Sequence, residues 1–253
     1  MKIMVAVKLV PDLVENLEIA PGGTGLDRTY LRLILSEPDE HALEQALLLK
    51  DESTDITVVA PGFEEADDVL FTAAAKGADR LVKLTDGFQE GCNCHALARA
   101  LRGITSEIQP DLILTGVQAH DDLDGSLGPL LAGLLNLPYV GNVAGLSITE
   151  GKATARKEYS GGLIGEMEIG LPAVIGIVAA EAPPRYVAVS KVRQMVKSAT
   201  LEPYPVGDLD PGGGIELDRM YKPESVERAT MIEGTAEEIA VRLIEVLKEL
   251  DVL

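Results

Sequence analysis

From Ile56 to Asn136 the chain alternates short apolar runs with longer segments whose apolar residues recur at helical spacing. Ile56–Ala60 precedes Glu64–Lys76, Arg80–Leu84 precedes Cys94–Ile108, and Leu112–Thr115 precedes Ser126–Asn136. Short runs without polar alternation are strands covered on both faces, and strands joined through helices must pair in parallel. The opening run Lys2–Val10 reads as another such strand, ended by Pro11-Asp12. Ser36-Glu37-Pro38-Asp39 is a helix start, and Ala42, Leu43, Ala46, Leu47 and Leu49 carry that helix towards Lys50. The pattern predicts an α/β fold: a parallel sheet with helices on both faces, taking its ligands at the carboxyl ends of the strands.

After Pro138 the rhythm changes. Val143–Thr149, Ala153–Tyr159, Leu163–Ile169 and Ala173–Ala179 read as strands separated by Glu150-Gly151, Ser160-Gly161-Gly162 and Gly170-Leu171-Pro172, so β-hairpins added to the same body are expected. Beyond Pro183-Pro184-Arg185-Tyr186 come a helical stretch, Val187–Lys197, and a proline- and glycine-rich arm, Glu202–Pro223. A final amphipathic helix, Ala236–Leu250, places Ile239, Leu243, Val246 or Leu247, and Leu250 on one face. An arm ending in such a helix docks on its own body or on a partner chain. Residues 1–183 thus form the α/β domain, 184–201 a loop, and 202–253 a docking arm.

With 253 residues the chain can bury a large core. Its 41 acidic against 22 basic side chains give a net charge of −19, which repels a phosphate backbone, and 4% aromatic content without Trp provides no base-stacking platform. Nucleic acid is therefore not an expected partner. No apolar run approaches the ~18 residues of a membrane span, and Met1–Val10 is too short for a signal peptide, so a cytoplasmic chain without membrane insertion is expected. The two cysteines, Cys92 and Cys94, adjoin His95, but His41 and His120 are isolated in sequence. Free thiols in a reducing compartment are expected, and no metal.

The segment Thr115–Pro138 joins a strand end, an acidic glycine-broken loop and a helix start. Free backbone N–H groups there favour an anion, with the helix dipole adding to the attraction. The backbone from Gly125 to Leu127 and the Ser126 hydroxyl hold phosphate in this reading, while Asp121, Asp122 and Asp124 face ribose hydroxyls. The alternative is an acidic solvated loop with Ser126 as a simple cap. Three carboxylates disfavour a triphosphate unless a metal or lysine offsets them; an adenosine monophosphate or a dinucleotide arm asks less. Two further strand ends, Ala6 to Lys8 and Pro61-Gly62, converge on the same place. No GxxxxGK[ST], no GxGxxG after the first strand and no GxSxG occurs, which weakens hydrolase readings. Ser160-Gly161-Gly162 shares its letters with the phosphate turn of ATP-pyrophosphatases but sits among the hairpins. Arg185-Tyr186, after two stiffening prolines, reads as a protein-docking loop or else as a domain-edge connection.

Seven short stretches, in order, carry a family resemblance: Val5-Ala6-Val7-Lys8, Glu40–Ala46, Thr72–Arg80, Gly116-Val117-Gln118-Ala119 with the aspartates that follow, Gly161-Gly162-Leu163, Leu171-Pro172-Ala173-Val174, and Pro184-Arg185-Tyr186. Together they resemble the beta subunit of electron-transfer flavoprotein. The resemblance implies an adenine-nucleotide-alpha-hydrolase-like (Rossmann-like) sandwich, paired with an alpha subunit that holds most contacts to a redox FAD. It implies an AMP in the beta subunit, or a second FAD in electron-bifurcating, NADH-oxidising members, and no catalytic residue of the subunit's own. Nucleotide contacts then fall on Ala6, Ser36, Glu37, Pro38, Asp39, Pro61, Gly116, Gln118, Asp121, Asp122, Asp124, Gly125, Ser126 and Leu127. Docking to dehydrogenases falls on Pro184–Lys197, with Arg185, Tyr186 and the apolar anchor Val189, and the 202–253 arm docks on the alpha subunit. The electrons pass to a membrane quinone reductase or another acceptor. This chain has Gly125-Ser126-Leu127 where AMP-binding members carry Asn-Gln-Thr, while Leu127-Gly128-Pro129 matches the end of the bifurcating pattern, which Leu123 and Asp124 miss at its start. Basic residues after the loop are few: Lys191, Arg193 and Lys197. A free-standing nucleotide sensor of the universal-stress type is the competing expectation.

Overall fold

Ile3, Met4 and Val5 are wholly buried, as a strand roofed on both faces must be. In the computed structural model, which describes every residue except 64, 89–91, 124, 126, 211, 224–228, 230 and 253, they lie in β1 (Lys2–Ala6). The apolar run does not continue as one strand. The Lys8 amide donates to the Asp39 carboxylate instead of to a neighbouring strand, and the chain leaves the sheet. Leu9–Pro11 (β2) then pairs antiparallel with Leu33–Leu35 (β3) as a separate ribbon. Leu9 and Val10, within that ribbon, are buried as well, so the run looked continuous.

From there the expected alternation is present: α1 (Glu37–Leu48), β4 (Asp55–Pro61), α2 (Ala66–Lys76), β5 (Arg80–Thr85), α3 (Cys94–Ile108), β6 (Leu112–Gly116) and α4 (Leu127–Leu135). Glu64 and Ser126, the expected first residues of two helices, lie outside the described residues. Then come β7 (Tyr139–Thr149), β8 (Lys152–Tyr159), β9 (Leu163–Gly170), β10 (Ala173–Ile177), α5 (Val189–Ser198), β11 (Leu201–Pro205) and α6 (Ala236–Glu249). The sheet order is β11-β5-β4-β1-β6-β10-β7-β8-β9. It is parallel from β11 through β7 and antiparallel across β7, β8 and β9.

Two expectations are corrected. Ala173–Ile177 is no hairpin strand: it inserts between β6 and β7, parallel to both, where every residue is buried. Glu202 does not begin an irregular arm, because Leu201–Pro205 is a parallel edge strand on β5. An edge strand tolerates Pro203 and Pro205, whose missing N–H groups are not needed on the open side.

Alternation along each strand divides the core. Val5, Val58 and Leu114 face Leu43 and Leu47 of α1 and Leu70 of α2, while Met4, Val59 and Ile113 face Leu97 and Leu101 of α3 and Leu131 of α4. Helices thus cover both faces of the parallel part. Neither α5, which packs beside α2, nor α6 buries a residue. α6 is nonetheless well formed, closed by a capping box between Thr235 and Glu238. Among the described residues no helix is long and apolar enough to cross a membrane.

At the start of β7 the Tyr139 ring fills a slot made by three glycines. A Cβ would stand 2.6 Å from the ring at Gly128, and 2.5 Å from its hydroxyl at Gly141 and at Gly176. Gly176→Ala, in the middle of the sheet, is therefore expected to destabilise the chain by about 1–3 kcal/mol through overpacking. Urea denaturation should show Tyr139→Phe recovering part of that loss in the double variant; a loss unchanged by Tyr139→Phe would refute the slot.

Candidate functional site

Ala6, Pro61 and Gly116 end β1, β4 and β6 side by side, and the first turn of α1 sits over them. Asp39 makes the junction. One carboxylate oxygen accepts the Gly116 amide at 2.7 Å and the other the Lys8 amide at 2.9 Å. Ser36 is buried at the helix N-cap, its amide donating to the Lys8 carbonyl at 3.0 Å. Pro38 lies in the first turn, where a missing N–H costs nothing. Only glycine fits at 116, because a Cβ there would stand 2.5 Å from the Asp39 carboxylate and 2.8 Å from its amide nitrogen.

Lys8 reaches across this junction into the acidic loop. Its Nζ binds Asp121 at 2.7 Å and lies still closer to Asp122, with the lysine side chain 13% exposed. Burial alone would lower the Lys8 ammonium pKa; the charge of Asp122 and the bonds to both aspartates outweigh it and hold it above its ordinary value. Asp122 also accepts the Ala119 amide at 3.0 Å and the Cys94 thiol at 3.3 Å. The Gln118 amide donates to the Asp122 carbonyl at 3.3 Å, so the loop closes on itself. Gly125 takes a φ of 56°, and a Cβ there would stand 2.6 Å from the Gln118 side chain. Lys8 ends the strand-end stretch expected to converge here, but its pairing with Asp121 and Asp122 was not foreseen. The signal was a lone cation at the first strand end opposite an acidic loop.

Beneath the start of α4, the Thr115 hydroxyl is buried and has no hydrogen-bond partner among the described residues. It lies 3.1 Å from where a Cβ on Gly128 would stand. A buried hydroxyl left without a partner is costly, and a polar group arriving at this helix start would relieve it. The arrangement fits an anion-bearing ligand. Leu127 turns its side chain into the core, so it has only backbone to present. Asp124 and Ser126 lie outside the described residues.

Next to the loop opens a pocket of about 600 Å³. Lys8, Arg28, Glu65 and Asp121 are its charged lining, and Leu26, Leu33, Phe63 and Phe88 belong to its apolar one. Phe63 and Phe88 meet edge to face, centroids 6.3 Å apart. Met220, whose amide donates to the Gly23 carbonyl at 2.7 Å, brings the C-terminal arm over the opening. Burial pushes the Cys92 thiol in this wall up to about 11, which leaves it protonated and unreactive at neutral pH.

Farther along α1, three side chains at i, i+3 and i+4 receive the segment that follows β10. The Ala180 amide donates to Nδ1 of His41 at 3.2 Å and the Glu181 amide to Gln45 at 3.1 Å. Arg185 gives Glu44 its backbone amide at 3.0 Å and its guanidinium at 2.7 Å and 2.9 Å. The Arg185 guanidinium therefore turns back onto α1 while its side chain stays partly exposed. Tyr186 and Val189 stand outward, 86% and 60% exposed.

Burial pushes the Asp39 carboxyl up to about 7, against the pull of the Gly116 and Lys8 amides. An unfolded aspartate titrates near ~4. Between those values the folded chain binds more protons than the unfolded one, so this group makes stability fall as pH rises through that window. Asp39→Asn lacks the titration. Urea denaturation at about pH 5 and about pH 8 should show the wild type losing ground to the variant at the higher pH, and an equal difference at both would contradict the assignment.

Residues 24–206 match the family model described as the electron transfer flavoprotein domain. The chain is 35% identical to electron transfer flavoprotein subunit beta of Methylophilus methylotrophus, over 98% of each protein. It is 31% identical to the mitochondrial subunit beta of Oryza sativa subsp. japonica, over 96% of this chain and 97% of the other. A protein of Acetobacterium woodii named caffeyl-CoA reductase-Etf complex subunit CarD is 30% identical over 98% of each. On these matches the chain belongs to the electron transfer flavoprotein family, as a counterpart of its beta subunits.

Proposed function

We propose that this chain holds the adenylate part of a nucleotide at its strand-end loop and meets redox partners through residues 184–201. Flavin association and pairing with an alpha subunit come with the family. Bound FAD supplies the electron chemistry, and the chain's own residues bind, orient and dock. The observation that carries the nucleotide reading is the Thr115 hydroxyl, buried without a partner among the described residues beneath a helix start, beside an acidic loop whose charge Lys8 partly offsets. In this reading the backbone of Gly125 to Leu127, with the Ser126 hydroxyl, holds phosphate. Asp121, more exposed than Asp122, faces the ribose. Ala6, Pro61, Gly116 and the turn Ser36 to Asp39 form the adenine side.

The division into a nucleotide domain (1–183), a docking segment (184–201) and an arm towards the alpha subunit (202–253) follows the same reading, with the arm proper leaving the sheet after Pro205. Family membership, whose matched span includes 184–201, favours a two-subunit carrier over a free-standing sensor. The name of the Acetobacterium relative couples an Etf to a reductase of a CoA thioester. Dehydrogenases acting on CoA thioesters are accordingly the donors or acceptors we propose, with a membrane quinone reductase or another acceptor at the far end and the whole in the cytoplasm.

A second reading has an observation of its own. The pocket of about 600 Å³ shares Lys8 and Asp121 with the loop, adds Arg28 and Glu65, and is lined elsewhere mainly by apolar side chains, which suits the ring end of a dinucleotide. A second FAD in place of AMP, in an electron-bifurcating complex, is the function that chamber favours. Co-expression with the alpha subunit, followed by denaturation and counting of released cofactors, separates the two. FAD and AMP in equal amounts mark the ordinary carrier, and FAD at twice the heterodimer concentration without AMP marks the bifurcating form. A colourless monomer indifferent to the alpha subunit would sink both.

A further inference from the structure

Glu44 sits in the middle of α1 with its side chain only 3% exposed. An ionised carboxylate is held that deep only when paired, and its hydrogen bonds among the described residues all come from Arg185. The pairing uses the planar fork of the guanidinium as well as a backbone amide, so it fixes direction and not only distance. Burial would raise the Glu44 pKa, and the bonds and charge of Arg185 hold it below the ordinary range.

The place of this pair in the chain gives it a consequence. Ala180 and Glu181 are pinned to His41 and Gln45 on the same helix face, Pro183 and Pro184 stiffen the span between, and Arg185 is the last of these residues bound to α1. Tyr186 follows at once and Val189 opens α5, a helix that buries no residue of its own. α5 rests beside α2 through a contact that buries no residue fully, so the approach to it, with Tyr186 and the start of α5 at Val189, is held chiefly by the clamp on α1.

We propose that Glu44 is a positioning residue for partner docking: through Arg185 it holds Tyr186 and Val189 in the arrangement that a redox partner recognises. The inference rests on the reading of residues 184–201 as the docking segment. Without the clamp the segment samples other arrangements, and apparent affinity falls by the fraction of time the right one is populated.

The test uses the heterodimer with its alpha subunit, taken as the varied substrate of an acyl-CoA dehydrogenase that reduces the wild type. Glu44→Gln is expected to raise KM roughly tenfold, as for a docking arrangement populated about a tenth of the time, with kcat and FAD content held. Arg185→Gln should raise KM alike, and the double variant no further, because both belong to one pair. Where Glu44→Gln fails to give folded heterodimer, Arg185→Gln carries the test alone, its side chain being 41% exposed. Unchanged KM in the clamp variants, or kcat and FAD content falling together, overturns the proposal. Tyr186→Ala and Val189→Ala separate it from the reading beneath. If they raise KM and the clamp variants do not, only the role of Glu44 fails; if they too leave KM unchanged, the docking reading falls and takes the inference with it.

Discussion

Parallel strands end with amide groups that no neighbouring strand can satisfy, and in this chain one buried carboxylate takes two of them. Asp39 binds the amides at the ends of the first strand and of β6, and so holds three things at one point: two adjacent strand ends and the start of α1. That junction diverts the chain after Ala6 into the β2–β3 ribbon. It places Lys8 opposite the acidic loop, and it fixes the axis of the helix whose later turns receive Ala180 to Arg185. The nucleotide loop and the docking segment are thus both referred to one helix. A rigid element built in this way positions side chains more closely than loops alone would.

In a chain with a net charge of −19, where each cation sits matters more than how many there are. Lys8 bridges two loop aspartates and offsets one of their charges, Arg185 fills the socket of Glu44, and Lys76, nearly buried, meets Glu40 at 2.6 Å. Exposed pairs such as Lys152 with Glu168 contribute little by comparison. In the Lys76 and Arg185 pairs one partner is buried and the other reaches solvent: Lys76 and Glu44 are the enclosed members of theirs. Removing one leaves a charge without compensation, which is why the consequences of such a change reach beyond the pair.

The alternation from β4 to α4 was legible because each element's period lies within its own residues. What the sequence concealed was pairing. The apolar run Lys2–Val10 is buried throughout, yet burial does not reveal which sheet buries it, and the switch at Lys8 depends on Asp39, thirty-one positions away. Ala173–Ile177 reads as one more strand after three antiparallel ones, and only its uninterrupted apolar character marked it as central. In the site, the glycines and aspartates of the loop announced themselves. The direction of Arg185 did not, since it is decided by a glutamate on another element that looked like any exposed helix residue in the pattern around it. Local chemistry shows in the sequence, and non-local partners do not.

The contact between Gly125 and Gln118 bears on how such loops diverge. A left-handed φ of 56° is one that asparagine tolerates, so the backbone would accept the residue that AMP-binding members carry at this place. The side chain of Gln118 stands in the space a Cβ needs and holds the Asp122 carbonyl from there. A side chain at 125 therefore requires the exposed Gln118 to turn away and release that carbonyl, so the bond that closes the loop on itself and the room for an asparagine exclude one another.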